Sequence, residues 1–147
     1  MKKLSLFLML SFVLFTSFKS PKTNTTNNVE TIFNETFKDV KNVQWYVTDK
    51  TYSARFTTKN VITSITYNKD GKFVRSSRVA GQELLPLNVL LKIKEKYSGK
   101  TIKLVTEIVE GNELSYSLTI DDKDNCWIVE ATALGDNKVL SKFAKQH

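Results

Sequence analysis

Reactive side chains are scarce in this chain of 147 residues, and the scarcity decides much of what it cannot do. The one histidine is His147, at the very end. A terminal side chain is not held within hydrogen-bonding reach of a substrate, which excludes Cys-His and Ser-His nucleophile systems. The one cysteine, Cys126, has no partner for an intramolecular disulfide and reads as a small hydrophobe in a strand. Zinc sites need several His or Cys ligands, and the chain does not hold them. Gly71, Gly81, Gly99, Gly111 and Gly135 stand singly where turns and helix ends want them, so there is no glycine-rich phosphate loop. Strong basicity is missing as well. The formal charge is +7, and it falls to +4 once Lys2, Lys3 and Lys19 are set aside with the N-terminal segment. That excess is dispersed, whereas nucleic-acid binding wants a basic stripe.

Carboxylates are the remaining chemical option. Asp121, Asp122 and Asp124 cluster in one turn, in a spacing that brings calcium to mind. Lys123 interrupts them, no glycine marks a bend, and Cys126-Trp127 follow at once, so a solvated turn is expected. Glu107 and Glu110 have no evident acid partner for acid/base catalysis. No catalytic, cofactor-binding or metal residues are expected, and the chain reads as non-enzymatic.

What is present begins with Met1-Lys2-Lys3 and an apolar run from Leu4 to Thr16. The pattern is that of a Sec-type export signal, expected over residues 1–20. The run is too short to cross the ~30 Å of hydrocarbon that takes roughly 20 residues, so no membrane span is expected after cleavage. A polar, aperiodic leader follows at 21–28, and then a single domain over 29–147. Periplasmic or secreted localisation is the corollary.

The domain reads as one unit written twice, at 29–79 and 84–143. Val29, Ile32, Phe33 and Phe37 recur at helical spacing with Asn28 as N-cap. Leu87, Leu90, Leu91, Ile93 and Tyr97 predict the apolar face of a second helix, with Pro86 at its first position and Gly99 stopping it. Between and after these segments the period drops to 2. Val43, Trp45 and Val47 alternate with Gln44, Tyr46 and Thr48, and Tyr52, Ala54 and Phe56 with Ser53, Arg55 and Thr57. Later, Ile102, Leu104, Thr106 and Ile108 predict one face of a strand, and Leu114, Tyr116, Leu118 and Ile120 another. Short connections such as Asp70-Gly71 favour antiparallel neighbours. The expected fold class is α+β: a tandem repeat of helix plus antiparallel β-meander, with both helices on one face of a continuous curved sheet.

Such a sheet leaves its other face open. By alternation Tyr46, Arg55, Glu107 and Ser117 fall on that face and are the candidate partner-binding residues. Tyr and Arg are enriched at binding hot spots.

Phe37-Lys38-Asp39-Val40-Lys41-Asn42-Val43-Gln44-Trp45, Tyr52-Ser53-Ala54-Arg55-Phe56, Tyr67-Asn68-Lys69-Asp70-Gly71, Leu85-Pro86 and Thr106-Glu107-Ile108 resemble segments of a known group. It is the PepSY-like, β-lactamase-inhibitor-like family of exported Bacteroidetes proteins. The resemblance runs over residues 29 to 143 and implies two helix-plus-sheet repeats and no catalytic residues. The turn at Asp121–Trp127 is longer than the family pattern. From residues and resemblance together, the expected function is an exported binding module that grips a protein partner of the cell envelope. The alternative is a periplasmic small-ligand or ion-binding, sensing protein, which predicts a pocket between sheet and helices.

Overall fold

The computed structural model describes residues 27–146. The expected export signal, most of the leader and His147 lie outside them. In chain order the elements are α1 (Asn27–Thr36), β1 (Gln44–Val47), β2 (Thr51–Thr58), β3 (Val61–Asn68), β4 (Phe73–Ala80), α2 (Leu87–Lys96), β5 (Thr101–Glu110), β6 (Glu113–Asp121), β7 (Asn125–Thr132) and β8 (Asn137–Ala144). A 3₁₀ turn at Gln82–Leu84, not foreseen in the sequence, leads into α2. The strands form one open sheet in the order β1 to β8, every neighbour antiparallel. Turns of a few residues enforce antiparallel pairing within β1–β4 and within β5–β8, because parallel neighbours would need long crossovers, whereas β4 and β5 are joined through α2.

α1 starts at Asn27, so Asn28 lies in its first turn and is not its cap. Val29 and Phe33, four residues apart, come to one side and pack with Tyr52, Ala54 and Phe56 of β2 and Ile65 and Tyr67 of β3. Phe33 anchors this cluster: its ring stacks on Phe37 at 4.9 Å and meets Trp45 and Phe56 edge-on at 5.4 and 5.6 Å. Such pairs add about 0.5–1.5 kcal/mol each beyond the area they bury.

In α2, Pro86 takes the capping position ahead of the helix, and its carbonyl accepts the Leu90 N–H at 2.9 Å. The buried stripe differs from the expected leucine face. Val89 and Ile93 are fully buried, while Leu87 and Leu91 stand 70% and 59% exposed. The cause is rotational. Leu84 and Leu85, just ahead of the helix, bury themselves and fix Val89, Ile93 and Tyr97 as the inward row. Leu87 and Leu91 are each two residues, about 200°, from Val89 on the helix circumference. The second cluster joins this row to Val105, Tyr116, Leu118, Ile120, Val129 and Ala131.

Two turn glycines press against the helices. Gly71 has φ +80° and a Cβ there would meet Ile32 Cδ1 at 2.8 Å; Gly135 has φ +89° and a Cβ there would meet Lys92 Cδ at 2.7 Å. The positive φ favours glycine at both, and a Cβ would also have to displace those side chains.

β5 carries a bulge. Ile102 pairs with Ile120 and Leu104 with Thr119, so Lys103 is an extra residue. Ile102 therefore faces one side of the sheet while Leu104, Thr106 and Ile108 face the other. The expected single row breaks there, and Val105 supplies the buried position instead.

Candidate interaction face

Registers fix what the side of the sheet opposite the two clusters displays, because residues paired across strands share a face. One row runs Gln44, Arg55, Ser64, Ser77, Ile108, Ser115 and Thr132, from β1 to β7. A second runs Tyr46, Ser53, Thr66, Arg75, Glu110 and Glu113. A third runs Thr57, Ile62, Val79, Thr106, Ser117, Glu130 and Lys138. The middle of this outer face is short hydroxyls and β-branched carbons, half-buried by their own neighbours on the pleat. Charges lie at its margins. Arg55, Arg75, Glu110 and Glu113 are exposed, and Lys138 reaches Glu130 at 2.8 Å. Ser53 and Thr66 share a hydrogen bond of 2.9 Å.

Three of the four predicted residues lie on this face. Tyr46 is 52% exposed and its hydroxyl donates to Gln44 Oε1 at 3.1 Å. Arg55 sits on the next strand, two residue pairs along and opposite Gln44. Ser117 is four strands from Arg55, about 19 Å at the usual strand spacing. Glu107 is not among them. It pairs with Tyr116, which is buried, so it projects to the side of the buried clusters. The Lys103 bulge reverses the expected parity and places it there.

On that side Glu107 meets a residue that sequence reasoning missed. Arg78 Nη1 donates to Glu107 Oε1 at 3.0 Å. Burial pushes the nearby Tyr116 hydroxyl above its ordinary pKa, the Glu107 charge adding to the rise and Arg78 opposing it. Arg78 and Glu107 are 29 residues apart, and the only sequence signal for them was opposite charge on strands that become neighbours.

The aspartate turn is filled by cations of the chain itself. Asp122 Oδ2 accepts Lys100 Nζ at 2.8 Å, and its Oδ1 accepts the Asp124 and Asn125 N–H groups at 2.9 Å each. Lys145 Nζ donates to Asp121 at 2.6 Å and to the Asp122 carbonyl at 2.7 Å. The Lys100 hydrogen bond holds the Asp122 carboxyl well below the usual carboxylate range. Lys100 also lies 4.1 Å over the Trp127 ring. This constellation pins the C-terminal strand to the β6–β7 turn. Among the described residues no group of three or more His, Cys, Asp or Glu could hold a metal ion. No helix among them is long and apolar enough to cross a membrane.

No protein-family model matches the chain, and no curated protein sequence matches it. Solved structures do. A DUF2874 family protein from Bacteroides ovatus superimposes with TM-score 0.63 at 18% identity, over 81% of this chain and 86% of that one. A candidate periplasmic protein from Bacteroides eggerthii gives TM-score 0.63 at 14% identity, over 80% and 87%. A BLIP-like protein from Bacteroides fragilis gives 0.60 at 12% identity, over 79% and 83%. Fold does not carry function across such distances. The likeness establishes architecture: the described residues have a BLIP-like fold, an open antiparallel sheet of eight strands with two helices.

Proposed function

We propose that this chain is an exported, non-enzymatic, PepSY-like binding module that docks a cell-envelope protein on the outer face of its sheet, in inhibitor-like fashion. The observation that carries the reading is the composition of that face. A neutral centre from Ser64 to Ser115, framed by Arg55, Arg75, Glu110 and Glu113, matches the usual layout of protein interfaces, apolar or neutral within and polar at the rim. Short side chains with few rotamers also lose little entropy on contact. Periplasmic placement of a structural neighbour is in keeping with export.

The same reading treats the domain as two copies of one unit, with both helices covering one side. Matching details support it. Val29 lies within 4 Å of a Cβ at Gly71, as the Val89 backbone does at Gly135, and buried Tyr52 and Tyr116 each sit on the second strand of their half. The registers carry Ala54 and Ile65 of the first cluster onto the same side as Val105 and Leu118 of the second.

The test is capture from envelope extract with purified protein. Ile108→Arg with Ser77→Arg, which put two guanidinium groups in the neutral centre, should abolish capture of whatever partner the wild type retains. Leu91→Ala, on the exposed side of α2, should leave capture intact. Retention by the double variant would overturn the assignment of the face.

A further inference from the structure

β8 is the last strand of the sheet, so one of its two edges has no strand beside it. That edge runs over eight residues, whereas β1 at the opposite end offers four. Which backbone groups face outward follows from two hydrogen bonds. The Lys145 N–H donates to the Asp124 carbonyl at 2.8 Å, and the Thr132 N–H to the Asp136 carbonyl at 2.9 Å. In an antiparallel pair, alternate residues turn their backbone groups toward the neighbour. Lys138 and Phe143 therefore turn theirs to β7, while Val139, Lys142 and Ala144 turn theirs away. Val139 and Lys142 stand opposite Val129 and Trp127, two residues apart on β7, so the outward groups keep ordinary strand spacing across the bulge.

Side chains give this edge a character. Val139, Leu140 and Phe143 are about half exposed. The charged residues of β8 are both lysines. Lys138 is held by Glu130 at 2.8 Å, on the outer side of the sheet. Lys142 forms no ion pair among the described residues and overlies the Trp127 ring at 5.4 Å. Outward amides, exposed hydrocarbon and an unneutralised ammonium thus lie together on one strand.

We infer that the free edge of β8 is a docking site of its own, which takes an extended acidic segment of another protein as a ninth strand. Strand addition draws affinity from backbone hydrogen bonds and specificity from alternate side chains. Val139, Lys142 and Ala144 supply the backbone groups, and Val139 the apolar contact. Lys142 supplies the choice of charge: an acidic side chain across from it is attracted and a basic one repelled. A second copy of this chain is the poorer occupant, because its own β8 carries only positive charge. The edge is separate from the outer face of the sheet, so this site stands or falls independently of partner docking there.

Titration of ¹⁵N-labelled protein with acetyl-Thr-Val-Glu-Val-Glu-Thr-amide, followed by amide chemical shifts, tests the inference. Saturable shifts centred on residues 139–144 are expected. The same peptide with lysine for glutamate should bind about tenfold more weakly, since repulsion replaces attraction across the pair. Lys142→Glu should reverse that preference. Ala144→Pro removes an outward N–H and leaves the ladder to β7 intact, and should weaken the acidic probe about fivefold. Exchange of the two probes on the wild-type protein keeps the test valid if a variant is damaged. No saturable shift at 139–144 with about 10 mM acidic probe, beyond the millimolar range of weak ligands, overturns the site. Equal binding of both probes overturns the acidic assignment. Concentration-dependent shifts of the same amides without any probe would give the edge to a second copy and overturn it too.

Discussion

Glu107 keeps 17% of its side-chain surface in water and Arg78 keeps 47%, and this asymmetry sets what each contributes. Removing the arginine leaves a mostly covered carboxylate without its donor. Arg78→Ala should therefore cost about 1–2 kcal/mol, the usual range for stranding a buried acceptor. Glu107→Gln leaves an acceptor in place and an arginine free to turn to solvent, so less than about 1 kcal/mol is expected. Denaturant unfolding of both variants checks the order, and equal losses would remove the ion pair from the account. Asp122 makes a pH prediction. Its folded pKa lies below the unfolded value of 3.8, so its stabilisation is present above that pH and lost as the pH falls further. Asp122→Asn should lower the melting temperature at neutral pH, with the gap to wild type closing as the pH drops below 3.8. A gap that stays constant down to pH ~2 would assign the effect to geometry and not to charge.

Elements were legible in the sequence wherever the period was regular. The change from Ile32-Phe33 spacing to Val43-Trp45-Val47 alternation marks helix and strand because each must bury one side. The Lys103 bulge was not legible, since one inserted residue leaves composition and average alternation unchanged while reversing every side chain's direction at that point. Glu107 was misplaced for that reason, whereas Tyr46, Arg55 and Ser117 lie on regular ladders and were placed on the outer face. The α2 stripe failed for another reason: several leucines allow two stripes, and Leu84 and Leu85 select between them through tertiary packing. The open ends of the sheet are treated differently. β1 is a four-residue edge, but β8 exposes eight residues with Val139, Leu140 and Phe143 half exposed. Its protection is the bulge at Leu140 with Lys138 and Lys142 on either side. Lys138→Val with Lys142→Thr should yield concentration-dependent association beyond that of the wild type, measured by light scattering; a variant that scatters as the wild type does would show that the bulge alone suffices.

At the scale of the whole molecule, the two hydrophobic clusters lie along one continuous sheet. β4 and β5 pair from Arg75 with Glu110 to Ala80 with Val105, and Val61 and Ala80 pack against the second cluster. One cooperative transition is expected. Trp45 lies against the first cluster and Trp127 against the second, so each half has its own fluorophore. Melting curves of Trp45→Phe and Trp127→Phe should each be single, and Phe33→Ala, which costs about 3–5 kcal/mol in a core, should lower both reporters together. A transition in which Trp127 outlasts Trp45 would sink that view. The run of antiparallel strands was visible from the sequence because it follows from alternation and short turns. The hydroxyl-lined rows were not, because they depend on which residues meet across strands.

Lys103 gives one position in the chain an influence out of proportion to its side chain. Its excision would make the ladder regular and leave Ile102 opposite Ile120, so both sides of the sheet would keep their residues. Straightening the strand with Lys103 retained would instead set the lysine opposite Ile120 and turn Ile102 outward. Among relatives that share this architecture, a gain or loss of a single codon at that point can thus be absorbed in the bulge with no change of sidedness.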